Sequence, residues 1–172
     1  GATQLKGVTP DIILPDWMEY KKFREKDNTS ALQWDEIPQA DYKTWTSTAS
    51  EDAVVKEAYS QLNTNTTFTK IKSCVDWLQQ YSEKEYSLNI TKYKEDQKRL
   101  KDTYKQLEEA SKLSKSLNVT NNTADLAEIK STQEKIDRNS KWLKSIGDDV
   151  YVDETVKVVN NMINQGNTAK RN

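Results

Sequence analysis

Histidine is missing from all 172 residues, and cysteine occurs once, at Cys74. Without histidine there is no Ser-His-Asp or Cys-His catalysis, no His-Glu-x-x-His zinc site and no mixed Cys/His zinc site. One thiol makes neither a thiolate metal cluster nor an internal disulfide, and it says nothing firm about redox compartment. Glycine is scarce at four residues and proline scarcer at three. Scattered glycines of that number form neither a Walker loop nor a dinucleotide fingerprint. So few turn formers also suit helices better than a β-rich fold. No apolar run approaches the roughly 18 residues of a membrane span, and no secretory leader is visible. A net charge of −1 lacks the basic excess of a nucleic-acid binder.

Charge and aromatic rings are what the chain has in quantity. Charged residues make up 31% and apolar ones 34%, so a well-solvated surface encloses a modest core, enough for one domain. Five Trp and eight Tyr supply large anchors. The opening residues read as the interior of a longer chain.

From Ser50 onward the periodicity is helical. Ser50 is a candidate N-cap, with Glu51 and Asp52 in the first turn. Val54, Val55, Ala58, Tyr59 and Leu62 share one face and predict a helix over 51–62. Phe68, Ile71, Val75, Leu78 and Tyr81 predict a second over 66–84. Tyr93, Leu100 and Leu107 recur every seventh residue and predict a long, charge-laced third helix over 90–116. Ile129, Ile136 and Leu143 predict a fourth over 124–146, with Gly147 as its C-terminal cap. Val156, Val159 and Ile163 predict a fifth over 154–165, facing inward, with Asp153 as its cap. The polar turn from Asn118 to Thr123 implies that helices three and four pack antiparallel. The fold class is therefore mainly α: a helical bundle with long antiparallel helices, preceded by a short extended segment and a Pro-broken strap. Residues 167–172 read as a frayed tail.

Two segments ahead of the bundle stand apart. Ile12, Ile13 and Leu14 favour a strand that Pro15 ends. A lone strand is unstable in water, so this one either swings free or completes a sheet elsewhere. Residues 17–49 form a connector and a strap. In Ala31-Leu32-Gln33-Trp34-Asp35-Glu36-Ile37-Pro38-Gln39-Ala40-Asp41-Tyr42, Pro38 forbids a continuous helix and pushes Ile37 toward an extended shape. Trp34, Ile37 and Tyr42 are the candidate structural anchors of that strap, and truncating a buried Trp34 is expected to cost about 3–5 kcal/mol. Trp17, Trp34 and Trp45 read as anchors rather than sugar-stacking platforms.

Several patterns are weaker than they look. Asp148, Asp149, Asp153 and Glu154 lack the alternate spacing and central glycine of a calcium loop, and read as helix caps. Five Asn-x-Ser/Thr matches occur, at Asn28, Asn65, Asn89, Asn118 and Asn121. Chance accounts for them in a chain so rich in Asn and Thr. The Lys/Glu alternation from Lys92 to Lys115 reads as a solvated helix face.

The two leading segments resemble a known family. Thr3-Gln4-Leu5-Lys6-Gly7-Val8-Thr9-Pro10-Asp11-Ile12-Ile13-Leu14-Pro15 is similar to the segment that closes the catalytic core of tail-specific, or C-terminal processing, proteases. Ala31, Leu32, Trp34, Asp35, Ile37, Ala40 and Tyr42 fit that family's Ala-Leu-Pro-Trp-Asp-x-Ile-x-x-Ala-x-Tyr signature, with Gln33 in place of Pro. Tyr86-Ser87-Leu88-Asn89 and Asp148-Asp149-Val150-Tyr151-Val152-Asp153-Glu154 agree with it more loosely. The resemblance implies that residues 1–16 end a protease core, that 17–49 are linker and strap, and that 50–166 are a C-terminal helical domain. It implies a periplasmic serine endopeptidase that uses a serine nucleophile and a lysine base, both upstream of Gly1. No catalytic, cofactor-binding or metal-binding residue is carried onto this chain. The implied partners are the upstream protease and PDZ-type domains, protein substrates with apolar C-termini, and an adaptor protein; no nucleic acid and no cofactor are implied. The rival reading is a freestanding helical interaction module.

Overall fold

The computed structural model describes residues 5, 7, 10–34, 41 and 51–169. Among them there are helices and connecting segments but no strand. The expected strap anchors Ile37 and Tyr42, and the expected cap Ser50, lie outside the described residues.

Helices α1 (Glu51–Thr64), α2 (Thr66–Ser82) and α3 (Ile90–Ala110) form the packed half of the molecule. Asn65 separates α1 from α2 and caps the latter: its Oδ1 accepts from the amides of Thr67 at 2.9 Å and Phe68 at 3.4 Å. Asn89 repeats the device for α3, accepting from Thr91 and Lys92. α2 is the centre. Phe68, Ile71, Cys74, Val75, Leu78 and Tyr81 are all buried along it, and each aliphatic side chain removed from water contributes roughly 1.5–3 kcal/mol. Leu62 of α1, Leu107 of α3 and Val150 join that core, and Val54 and Ala58 are buried further back along α1.

α3 runs antiparallel to α2. Successive pairs climb one helix and descend the other: Lys84 with Asp96, Tyr81 with Gln97, and Trp77 with Arg99. The expected partner for α3 was the fourth helix, and this is corrected: α3 packs on α2. The cause is the end of α3. It stops at Ala110 rather than near 116, where the Ser111 hydroxyl donates to the Leu107 carbonyl at 2.8 Å. The chain beyond runs beside the next helix junction, the Leu113 amide donating to the Asp148 carbonyl and that of Leu117 to the Gly147 carbonyl, both at 2.8 Å. A tight reversal is replaced by a long connection.

The expected single helix over 124–146 is two. A 3-10 turn at Thr123–Asp125 leads into α4 (Leu126–Ile129), a single turn, and α5 is Gln133–Gly147. Ser131 and Thr132 break the run. The Ser131 hydroxyl donates to the Glu128 carbonyl, and Thr132 restarts the helix by accepting from the Lys135 amide. Gly147 is not a left-handed cap: it is the last residue of α5 with no positive φ, and the capping residue Asp148 is also right-handed at φ −91°. Its role is close approach: a Cβ there would sit 3.1 Å from the Leu117 carbonyl oxygen.

The last helix, α6, spans Val150–Ala169. It starts four residues earlier than the sequence suggested because Asp149, not Asp153, is its cap. Asp149 Oδ1 accepts from the Tyr151 amide at 2.7 Å and from that of Val152 at 3.3 Å. Asp153 instead pairs with Lys157 at 2.8 Å. The expected inward face is also corrected. Val156, Val159 and Ile163 point to solvent, at 44%, 47% and 54% exposure, while Glu154 is 2% exposed.

Candidate functional site

The surface that receives the leading segment is built by two tyrosines from helices far apart in sequence. Tyr59 leaves the outer side of α1, and Tyr151 the first turn of α6. Tyr59 Oη accepts from the Ile13 amide at 3.1 Å and donates to the Asp11 carbonyl at 3.4 Å. Tyr151 Oη donates to the Pro15 carbonyl at 2.7 Å and accepts from the Trp17 amide at 3.3 Å. Each phenol thus serves the backbone as both acceptor and donor, which an extended strand otherwise obtains from a neighbouring strand.

Side chains follow the same logic. Ile12 and Leu14 pack on the helical core, whereas Ile13 between them is 57% exposed. This is a two-residue alternation on a helical platform. The segment was expected to find no partner within the chain. That is corrected: α1, α2 and α6 provide one. Burial pushes the Tyr151 phenol up to about 12; the Trp17 amide acts against this, and the charges of Asp16 and Asp149 add to it. Its ring stands edge-to-face on Phe68, with centroids 5.5 Å apart, so the clamp is seated directly on the core.

Beyond Pro15 the chain turns. Asp16 accepts from the Met18 amide at 2.8 Å and holds Arg24 at 2.7 Å. A 3-10 turn at Glu19–Lys21 lies on α2. Tyr20 reaches Tyr104 of α3, with ring centroids 6.0 Å apart, and is pushed up to about 12 by burial and then by Tyr104. Lys22 spans to Glu83 at the end of α2, at 2.5 Å. Residues 11–24 are therefore a brace tied to four helices. Trp34, the one expected strap anchor among the described residues, is 37% exposed, and Trp17, also read as an anchor, is 41% exposed.

A second feature is a groove of about 580 Å³ between α2 and α3, with Cys74 and Trp77 on one wall and Glu95, Lys98, Arg99 and Asp102 on the other. Arg99 lies 4.8 Å from the Trp77 ring centroid. Burial pushes the Cys74 thiol up, away from the reactive thiolate. The acidic residues near 148–154 are engaged locally. Asp148 pairs with Lys144 at 2.7 Å and receives the Ser116 hydroxyl, while Glu154 meets Lys157 at 3.3 Å.

This geometry fastens and braces. Residues 18–164 match the family described as the C-terminal domain of tail specific protease. The chain belongs to that family. A tail-specific protease of Haemophilus influenzae is 48% identical over 42 residues, which are 24% of this chain and 6% of that protein. The chain thus spans only a small part of that relative's length. No solved structure matches it. The matched range covers Trp34 and the helical domain that follows it. Membership does not single out Tyr59 and Tyr151; periodicity placed Tyr59 on the apolar face of α1, where it is in fact exposed, and gave neither phenol its role, because a phenol that serves a distant backbone leaves no local pattern. The fragment Asp149-Val150-Tyr151 carried the only hint, and there the aspartate turned out to be the helix cap.

Proposed function

We propose that this tail-specific protease C-terminal domain is a non-catalytic flank of a periplasmic serine endopeptidase. It fastens the end of the protease core to a helical wall that limits access to the core. The catalytic serine and lysine, and a PDZ-type domain that reads free apolar C-termini, lie in the upstream part of the same polypeptide. An adaptor protein docks on the helical wall.

The observation that carries the reading is the double tyrosine clamp on residues 11–17. A freestanding module gains little from gripping its own leading segment at both ends through long-range bonds. A flank that must transmit position to an attached body gains a rigid joint. Family membership over residues 18–164 supports the protease assignment. The absence of histidine and of any matched nucleophile motif supports leaving the chemistry elsewhere.

The test compares this chain with the complete gene product on a substrate bearing an apolar C-terminal tag. The complete protein is expected to degrade it, and the chain alone to leave it intact. Hydrolysis by the pure chain, or an inactive complete protein with no serine and lysine at family spacing, overturns the reading in favour of an independent interaction module. Trp34→Ala in the complete protein extends the test. An unchanged melting temperature and rate there would remove Trp34 as an anchor.

A further inference from the structure

α6 is built the wrong way round for a helix that ends at its own bundle. Val152, Val156, Val159 and Ile163 follow one another at spacings of four, three and four, which places them on one stripe. Three of the four are 44–54% exposed, and Met162 beside them is 41% exposed. The opposite face, turned toward the bundle, carries Val150 and Glu154 as its buried residues, with Val158, Asn161 and Gln165 partly buried behind them. A helix with a solvent-facing side normally places its charges there and its β-branched residues inside. Here valines lie on both sides, and the solvent-facing side carries an apolar stripe instead of charges.

The stripe has the pattern of two heptads of a packing seam, branched at every position, and runs about 16 Å at 1.5 Å per residue. Its surroundings are nearly uncharged. After Lys157, which is held by Asp153 and Glu154, α6 carries no charged residue. Whatever covers the stripe is therefore apolar and neutral. A strip this short is well below the roughly 800 Å² per partner of a stable association between separate chains, so a second copy gains too little. A partner in the same polypeptide needs much less area, because tethering supplies an effective concentration on the order of millimolar. The Haemophilus influenzae relative, of which the matched residues are 6%, is long enough to contain such a partner.

We infer that Val152, Val156, Val159 and Ile163 of α6 seat an uncharged apolar element of the protease body in the same polypeptide. This rests on the proposed reading of the chain as a flank. Hydrogen exchange followed by mass spectrometry on this chain and on the complete gene product tests it. Amides of 156–163 are expected to gain at least about tenfold protection in the complete protein, and to be indifferent to concentration in the chain alone. Val159→Asp with Ile163→Asp is expected to leave the melting of the chain alone unchanged and to abolish that gain; the gentler Val156→Thr with Val159→Thr reduces it. If other helices gain protection and 156–163 do not, or if the gain survives the aspartates, the inference falls and the flank reading stands. If no helix gains protection, both fall. Protection that rises with the concentration of the chain alone assigns the stripe to a second copy and overturns the inference.

Discussion

α2 and α6 are alike on paper and opposite in place. They have 17 and 20 residues, and both carry apolar side chains at three-and-four spacing. In α2 every residue of that stripe is buried, with Ile71 at 0% exposure. In α6 the stripe faces water and a glutamate faces the bundle. The difference teaches that periodicity identifies an apolar face without saying what it is for. α2 is flanked on one side by α1 and on the other by α3, so its apolar side chains meet others. α6 lies against α1 and joins the core through Val150 and Tyr151 of its first turn, and its own stripe is left over.

The largest test of that contrast is Ile71→Ala, expected to destabilise the chain by about 2–5 kcal/mol in denaturant titration. A loss below about 1 kcal/mol would mean α2 is not the centre. Tyr151→Phe removes two bonds to the leading segment while keeping the ring on Phe68. A loss of about 1–2 kcal/mol is expected, with residues 11–17 losing exchange protection and α2 keeping its own. If protection at 11–17 is unchanged, the clamp is not what holds the brace.

The same phenol gives a pH signature. A folded-state value raised to about 12, against about 10 unfolded, favours the folded state fully below pH 10. That contribution is lost as the pH rises from 10 toward 12. Tyr20 adds a loss in the same window. Thermal melts from pH 9 to 12 are expected to fall, and Tyr151→Phe to make the fall shallower.

Smaller effects sharpen the account of α6. Asp149→Ala removes its cap and is expected to cost about 1 kcal/mol. Asp153→Ala breaks only a partly exposed ion pair and is expected to stay within about 0.5 kcal/mol. The reverse order would restore Asp153 as the cap. The least effect belongs to Ile163→Ala, within about 0.5 kcal/mol in this chain. A loss like that of Ile71→Ala would place the stripe inside after all.

Most of the packed half could be read in advance, and residue by residue the reasons are local. The interval from Phe68 to Tyr81 keeps one face apolar for about four turns, whereas Asn65 and Asn89, dismissed as chance sequon matches, proved to be the caps of α2 and α3. The errors cluster after Ala110, where long-range bonds intervene. Nothing near Ser111 says that the Leu113 and Leu117 amides will find the Asp148 and Gly147 carbonyls. Ser131-Thr132 was a legible break, overridden by a heptad that ran across it. Gly147 was taken for a cap because glycine suits one, yet it is required by the passage of Leu117. At the candidate site, Pro15 and the apolar run of Ile12, Ile13 and Leu14 signalled an extended segment. Its receptors, Tyr59 and Tyr151, were invisible because they lie 46 to 136 residues from the backbone they serve.

By itself the sequence determined the helical class, the apolar core of α2 and the family, since each depends on side chains within a few turns or on contiguous motifs. Only the tertiary structure decided which helix α3 lies against, which way α6 turns its valines, and that two phenols hold the leading segment. Those outcomes depend on which backbone groups and apolar faces find one another across the molecule, and spacing along a chain does not record distance through space.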